Sequence, residues 1–118
     1  MRRLRLLVVE DNPLVFRALR RALAPRFEAT FVTSGRAALA EILEHDFDAV
    51  LSDVCMAGVD GRRVLAAVRE VQPTTFRILL TATPEARGLE VADYVIAKPC
   101  SLKELVATIE HFGGTAVR

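Results

Sequence analysis

Cysteine is scarce in this 118-residue chain, and the two present, Cys55 and Cys100, form neither a CxxC pair nor a disulfide framework. With no histidine cluster beside them, the ligand spacing of a structural zinc site is missing. An excess of one charge is missing too. Sixteen Lys and Arg stand against 15 Asp and Glu, a formal charge of +1, so the chain carries no general electrostatic footprint for nucleic acid. No apolar run approaches the roughly 20 residues that a membrane helix needs. The opening MRRLRLLVVED places basic residues before an apolar run, as a secretory signal does, but the run is short and ends in two acids. It reads as a first strand. No glycine-rich phosphate loop follows that strand, which argues against a nucleotide-binding domain.

What is present is a core-forming composition. Apolar residues make up 52% and charged residues 26% of the chain, which fits one globular domain with a single continuous core over residues 1–118. No linker or repeat appears, and no output domain is expected in this chain. A cytoplasmic location is expected, with no membrane and no direct nucleic-acid partner.

Apolar strand-like runs alternate with helix-like segments, the pattern of an α/β domain on a five-stranded parallel sheet. The strands read as residues 4–9, 27–33, 47–52, 76–81 and 92–97. Between them, Asn12 caps and Pro13 opens a first helix with Leu14, Val15, Ala18, Leu19, Ala22 and Leu23 at helical spacing. Ser34 and Gly35 lead into a second helix. Asp60 caps a third carrying Val64, Leu65, Val68 and Val71. SLKE at 101–104 is a capping box opening a last helix, with Leu102, Leu105, Val106 and Ile109 inward and Gly113 and Gly114 at its end. The second strand alternates more than the others, as an edge strand would.

In an open parallel sheet, ligands bind beyond the carboxyl ends of the strands. Glu10 and Asp11 follow the first strand, Asp53 the third, Thr81 ends the fourth and Lys98 follows the fifth. Three carboxylates gathered at one edge repel one another, and a hard cation relieves that repulsion. Magnesium suits such oxygen ligands and commonly binds carboxylates together with a phosphate. Lys98 adds a mobile point charge for phosphate and Thr81 a hydroxyl donor. The set describes a phosphoryl site with Asp53 as nucleophile, because Asp53 stands alone while Glu10 and Asp11 look like a metal-holding pair.

These residues, EDN at 10–12, Asp53 in DVCMAGVDG, Thr81-Ala82 and Lys98-Pro99, resemble the receiver domain of bacterial two-component response regulators along essentially the whole chain. The resemblance implies a doubly wound, flavodoxin-like sheet of order 2-1-3-4-5. It implies that Asp53 takes a phosphoryl group from a sensor histidine kinase or phosphotransfer protein and signals to a downstream protein. It also implies Mg²⁺ held by Glu10, Asp11, Asp53 and the main-chain carbonyl of Cys55, with Lys98 on the phosphoryl oxygen. Thr81 would swing toward the phosphate, Ala82 would leave access to it, and a cis bond would precede Pro99.

Some positions depart from the pattern. Ala57 stands where proline is usual, and Cys100 where phenylalanine is common. PEARGLE, with Pro84 and Gly88, is too short for a normal fourth helix, which is expected to be shortened or missing. Val95 stands where an aromatic usually couples to the threonine, and Tyr94, one place earlier, faces the opposite side of its strand. A poor fit to the usual dimer follows, so a monomer or weak dimer is expected.

Three other functions compete with the switch. A phosphate-independent binding module is opposed by retention of all five site residues. An aspartyl phosphohydrolase generally wants a second acid two residues after the first, where Cys55 stands. A nucleotide-binding domain lacks its loop. Arg17, Arg20 and Arg21 read as a solvated helix face, Cys55 as a packed or passive thiol, and His45 and His111 as exposed.

Overall fold

The computed structural model describes residues 3–116. Strands β1 (Arg5–Val9), β2 (Glu28–Val32), β3 (Ala49–Asp53), β4 (Phe76–Thr81) and β5 (Tyr94–Ala97) pair in parallel in the order β2-β1-β3-β4-β5. The sheet is the expected flavodoxin-like one. Strand order reverses at β1, so the carboxyl ends of β1 and β3 open a crevice between them.

Helices α1 (Pro13–Leu23), α2 (Gly35–Glu44), α3 (Gly61–Val71) and α4 (Leu102–Ala116) cover both faces. Period-2 alternation in each strand sends neighbouring side chains to opposite cores. Leu7, Val9, Val50 and Leu79 meet Ala38 and Ile42 of α2 and Val64, Leu65 and Val68 of α3. Leu6, Val8, Leu51, Ile78 and Leu80 meet Leu19 and Leu23 of α1 and Leu105 and Ile109 of α4. Burial on both faces explains why β1, β3 and β4 are continuous apolar runs.

The caps form as their residue types dictate. Asn12 Oδ1 accepts the N–H groups of Leu14 and Val15, Ser34 Oγ that of Ala37, and Ser101 Oγ that of Glu104. Asp60 Oδ1 accepts the N–H groups of Arg62 and Arg63. Burial pushes the Asp60 carboxyl up, but the Arg62 guanidinium and these two N–H groups outweigh it and hold the group below its ordinary value. A carboxylate shifted down on folding contributes fully above its unfolded pKa, and that contribution is lost as pH falls through the folded value. Asp60→Ala is therefore expected to cost about 1 kcal/mol in urea unfolding at pH 7, with the difference from the parent shrinking below about pH 4.

Four sequence expectations need correction. Leu14 lies 74% exposed and Leu102 40% exposed, because each occupies the first turn of its helix, beyond the reach of the sheet. Val71 is also exposed, at the last turn of α3. Helix α4 does not stop at Gly113 and Gly114 but runs on to Ala116. Two glycines weaken a helix by about 1 kcal/mol each without ending it unless the chain turns left-handed there. The strand spans differ from expectation by at most two residues at either end, β4 matching as read.

No α-helix lies between β4 and β5 among the described residues; a single 3₁₀ turn at Leu89–Val91 takes its place. Gly88 turns the chain left-handed at φ 81° just before it. Leu89 is buried against the α2/α3 core, with Ala86, Val91 and Ala92 packed beside it. Arg77 on β4 clamps the far end: its Nε donates to the Val91 carbonyl at 2.8 Å and its Nη2 to Asp93 Oδ1 at 3.1 Å.

Candidate functional site

Asp53 ends β3, and its carboxylate stands at the mouth of the crevice. Lys98 Nζ donates to Asp53 Oδ2 at 3.1 Å, and the Cys55 N–H donates to Oδ1 at 3.4 Å. The ion pair is largely enclosed, with the Lys98 side chain 28% exposed and that of Asp53 12%. Lys98 is brought there because β5 pairs beside β4: its N–H donates to the Thr81 carbonyl at 2.7 Å, and the Lys98–Pro99 bond is cis, as expected.

Carboxylate oxygens of Glu10, Asp11 and Asp53 lie within 4.8 Å of one another. Glu10 is buried while Asp11 is exposed. Glu10 Oε2 accepts the Asn12 N–H at 3.0 Å, and Asp11 Oδ2 accepts the Ala57 N–H at 3.3 Å. Glu10 Oε1 is buried and has no hydrogen-bond partner. An orphaned buried carboxylate oxygen, facing two further carboxylates with one lysine among them, is the donor set of a hard divalent cation, so these residues fit Mg²⁺.

Burial raises the pKa of Glu10 most; the Asn12 N–H pulls it back, and the neighbouring Asp53 charge pushes it up again. A carboxyl raised on folding binds its proton more readily in the folded state, so ionised Glu10 costs stability at neutral pH. That cost fades as pH falls through the raised folded value. Glu10→Gln is expected to raise the metal-free Tm by a few degrees at pH 7 and to diminish the further rise on adding Mg²⁺. Thermal melts with Mg²⁺ and with chelator read both effects.

Thr81, at the end of β4, is buried, and Ala82 beside it is exposed. Thr81 Oγ1 accepts the Thr83 N–H at 3.0 Å and lies 3.3 Å from Thr83 Oγ1. All five residues expected at the site thus share one sheet edge. Val95 packs toward the α2/α3 core, whereas the Tyr94 ring stacks on Phe112 at 5.2 Å, which stacks on Phe76 at 5.3 Å. The two side chains take opposite faces, as strand alternation requires.

Cys55 is exposed rather than packed, because the loop after β3 lifts it off the sheet. Arg17, Arg20 and Arg21 are exposed, and His45 and His111 likewise.

Two contributors escaped the sequence reading. A Cβ at Gly61 would collide with the Asp53 carbonyl and Ser52 Oγ, so only glycine lets α3 start against the end of β3. The signal was the glycine directly after the Asp60 cap. Thr83 is the other, and a lone threonine in a loop carries no signal of its own.

Residues 6–110 match the response regulator receiver domain, and the chain belongs to that family. It is 39% identical over 111 residues to the transcriptional regulatory protein TcrA of Mycobacterium tuberculosis, covering 89% of this chain and 44% of the relative. The chain spans about half the length of the curated relatives it matches. Among solved structures it resembles the response regulator TrrA of Thermotoga maritima in complex with Mg²⁺ and beryllofluoride, with TM-score 0.84, 27% identity and coverage of 95% of this chain and 99% of that one. The signal receiver domain of an HD domain-containing protein from Pseudomonas fluorescens shares the fold, with TM-score 0.89, 24% identity and 98% coverage of each chain. No described helix is long and apolar enough to cross a membrane.

Proposed function

We propose that this receiver domain, spanning residues 1–118, is a phosphorylation-dependent switch in which Asp53 accepts the phosphoryl group. The observation that carries this reading is the position of one carboxylate: Asp53 is paired with Lys98 at 3.1 Å and grouped with Glu10 and Asp11 within 4.8 Å.

Asp53 would attack phosphorus with a carboxylate oxygen. The P–N bond of a phosphohistidine breaks, the electron pair returns to the imidazole, and an acyl phosphate remains. The donor is a sensor histidine kinase or a phosphotransfer protein. Glu10, Asp11, Asp53 and the main-chain carbonyl of Cys55 would hold Mg²⁺, which when bound supplies charge neutralisation for the phosphoryl oxygens. Lys98 keeps Asp53 oriented in the free protein and would turn its ammonium to a phosphoryl oxygen afterwards. Thr81 would give its hydroxyl to another, and exposed Ala82 leaves that path open.

The switch acts on a downstream protein rather than on nucleic acid or membrane, in the cytoplasm, as a monomer or weak dimer. Support for weak self-association is the replacement of a helix between β4 and β5 by one 3₁₀ turn. The chain promotes its own phosphorylation without turning over an external substrate.

Beryllofluoride, a phosphoryl mimic, tests the reading by ¹⁹F NMR. A bound fluoride signal is expected with Mg²⁺ and none with chelator. A bound signal indifferent to chelator, or no signal from folded protein, would contradict it.

A further inference from the structure

Arg62 joins the loop after β3 to the segment after β4. It sits in the first turn of α3; Nη2 donates to Asp60 Oδ2 at 3.0 Å, and Nη1 donates to the Arg87 carbonyl at 3.0 Å. Asp60 closes the loop that carries Cys55, whereas Arg87 belongs to the helix-less segment between β4 and β5. The contact is close along the stem as well, since a Cβ at Gly88 would stand 3.1 Å from Arg62 Cδ.

The same segment is tied at its start to Thr81. The Thr83 N–H and hydroxyl both engage Thr81 Oγ1, and the Ala86 N–H donates to the Thr83 carbonyl at 3.0 Å. A continuous series of contacts therefore runs from Thr81 through Thr83, Ala86 and Arg87 to Arg62. The β5 end meets Thr81 through its backbone, the Lys98 N–H donating to the Thr81 carbonyl, rather than through the Thr81 hydroxyl. Val95 has a short aliphatic side chain, and the Tyr94 ring is engaged with Phe112 on the other face.

We propose that Arg62 is a positioning residue that latches residues 83–88 to α3, so that a change of partner by the Thr81 hydroxyl is expressed in this segment and not through Tyr94. The proposal rests on phosphorylation of Asp53 for its trigger, but the latch itself exists in the unphosphorylated protein. A guanidinium can serve two acceptors at fixed angles; a lysine ammonium keeps the charge and lacks the fork.

Amide hydrogen exchange by NMR tests it on the full chain, comparing the parent with Arg62→Met and Arg62→Lys, each with and without Mg²⁺ and beryllofluoride. In the parent, beryllofluoride is expected to speed exchange at Thr83 and Ala86 by about fivefold or more, with Val95 and Ile96 little changed. In Arg62→Met that exchange is expected to be fast already, shrinking the difference between states to under about twofold, and Arg62→Lys is expected to follow it. A purely structural role would speed exchange equally in both states and leave the difference intact. Unchanged Ala86 exchange in Arg62→Met would overturn the latch, and a beryllofluoride response confined to Tyr94–Ala97 would overturn the route. Absence of a bound ¹⁹F signal from the parent would defeat the Asp53 reading and the route with it, while the metal-free comparison would still decide the latch.

Discussion

Asp53→Asn is expected to lower phosphoryl incorporation from a small-molecule phosphodonor by at least about a hundredfold, because an amide has no anionic oxygen to attack phosphorus. The fold should survive the change. Asn keeps the volume and can still accept the Cys55 N–H, and it removes one of three mutually repelling charges grouped within 4.8 Å. Metal-free stability is therefore expected to hold or rise while phosphorylation vanishes. The opposite pairing, an unfolded variant, would make Asp53 a structural residue held by Lys98. Thermal melting beside intact mass separates these outcomes.

Asp93→Ala is expected to destabilise the chain by about 1–2 kcal/mol, although Asp93 lies well away from the site and its side chain is 37% exposed. Its Oδ2 accepts the Arg77 N–H at 2.8 Å and its Oδ1 accepts Nη2 at 3.1 Å. Arg77 is 11% exposed along its side chain, so truncating Asp93 leaves an enclosed guanidinium with only the Val91 carbonyl. The unpaired charge, rather than the lost attraction, supplies most of the cost. Arg77→Met added to Asp93→Ala is consequently expected to recover part of the loss. Urea unfolding of both single variants and the double variant reads that coupling directly. Additive losses would show that Arg77 and Asp93 act separately. The clamp matters because it fastens the end of the segment that stands where a fourth helix would pack.

Most of this arrangement can be read from residue order. Asp53, Glu10, Asp11, Thr81 and Lys98 each follow or end an apolar run, and a parallel sheet sends all such ends to one edge. Asn12-Pro13, Ser34, Asp60 and SLKE carry their helix starts in their own chemistry. The missing fourth helix was legible in the shortness of PEARGLE and in Pro84 and Gly88. Other features depend on partners distant in sequence. Gln72, directly after α3, is a buried junction: its Nε2 donates to the carbonyls of Ile42 and His45, and its Oε1 accepts the Phe47 N–H and the Thr75 hydroxyl. Nothing local in the sequence names the Arg87 and Val91 carbonyls as the acceptors of Arg62 and Arg77. Leu14 and Leu102 misled because helical period identifies a face but not whether the first turn lies over the sheet.

Intact mass of the parent and Asp53→Asn after incubation with a small-molecule phosphodonor, with Mg²⁺ or with chelator, tests the central claim most directly. The account predicts one adduct of about 80 Da, the mass of a single phosphoryl group, only in the parent and only with Mg²⁺. An adduct that persists in Asp53→Asn or in chelator, or folded parent protein that takes up no phosphoryl group, would contradict it.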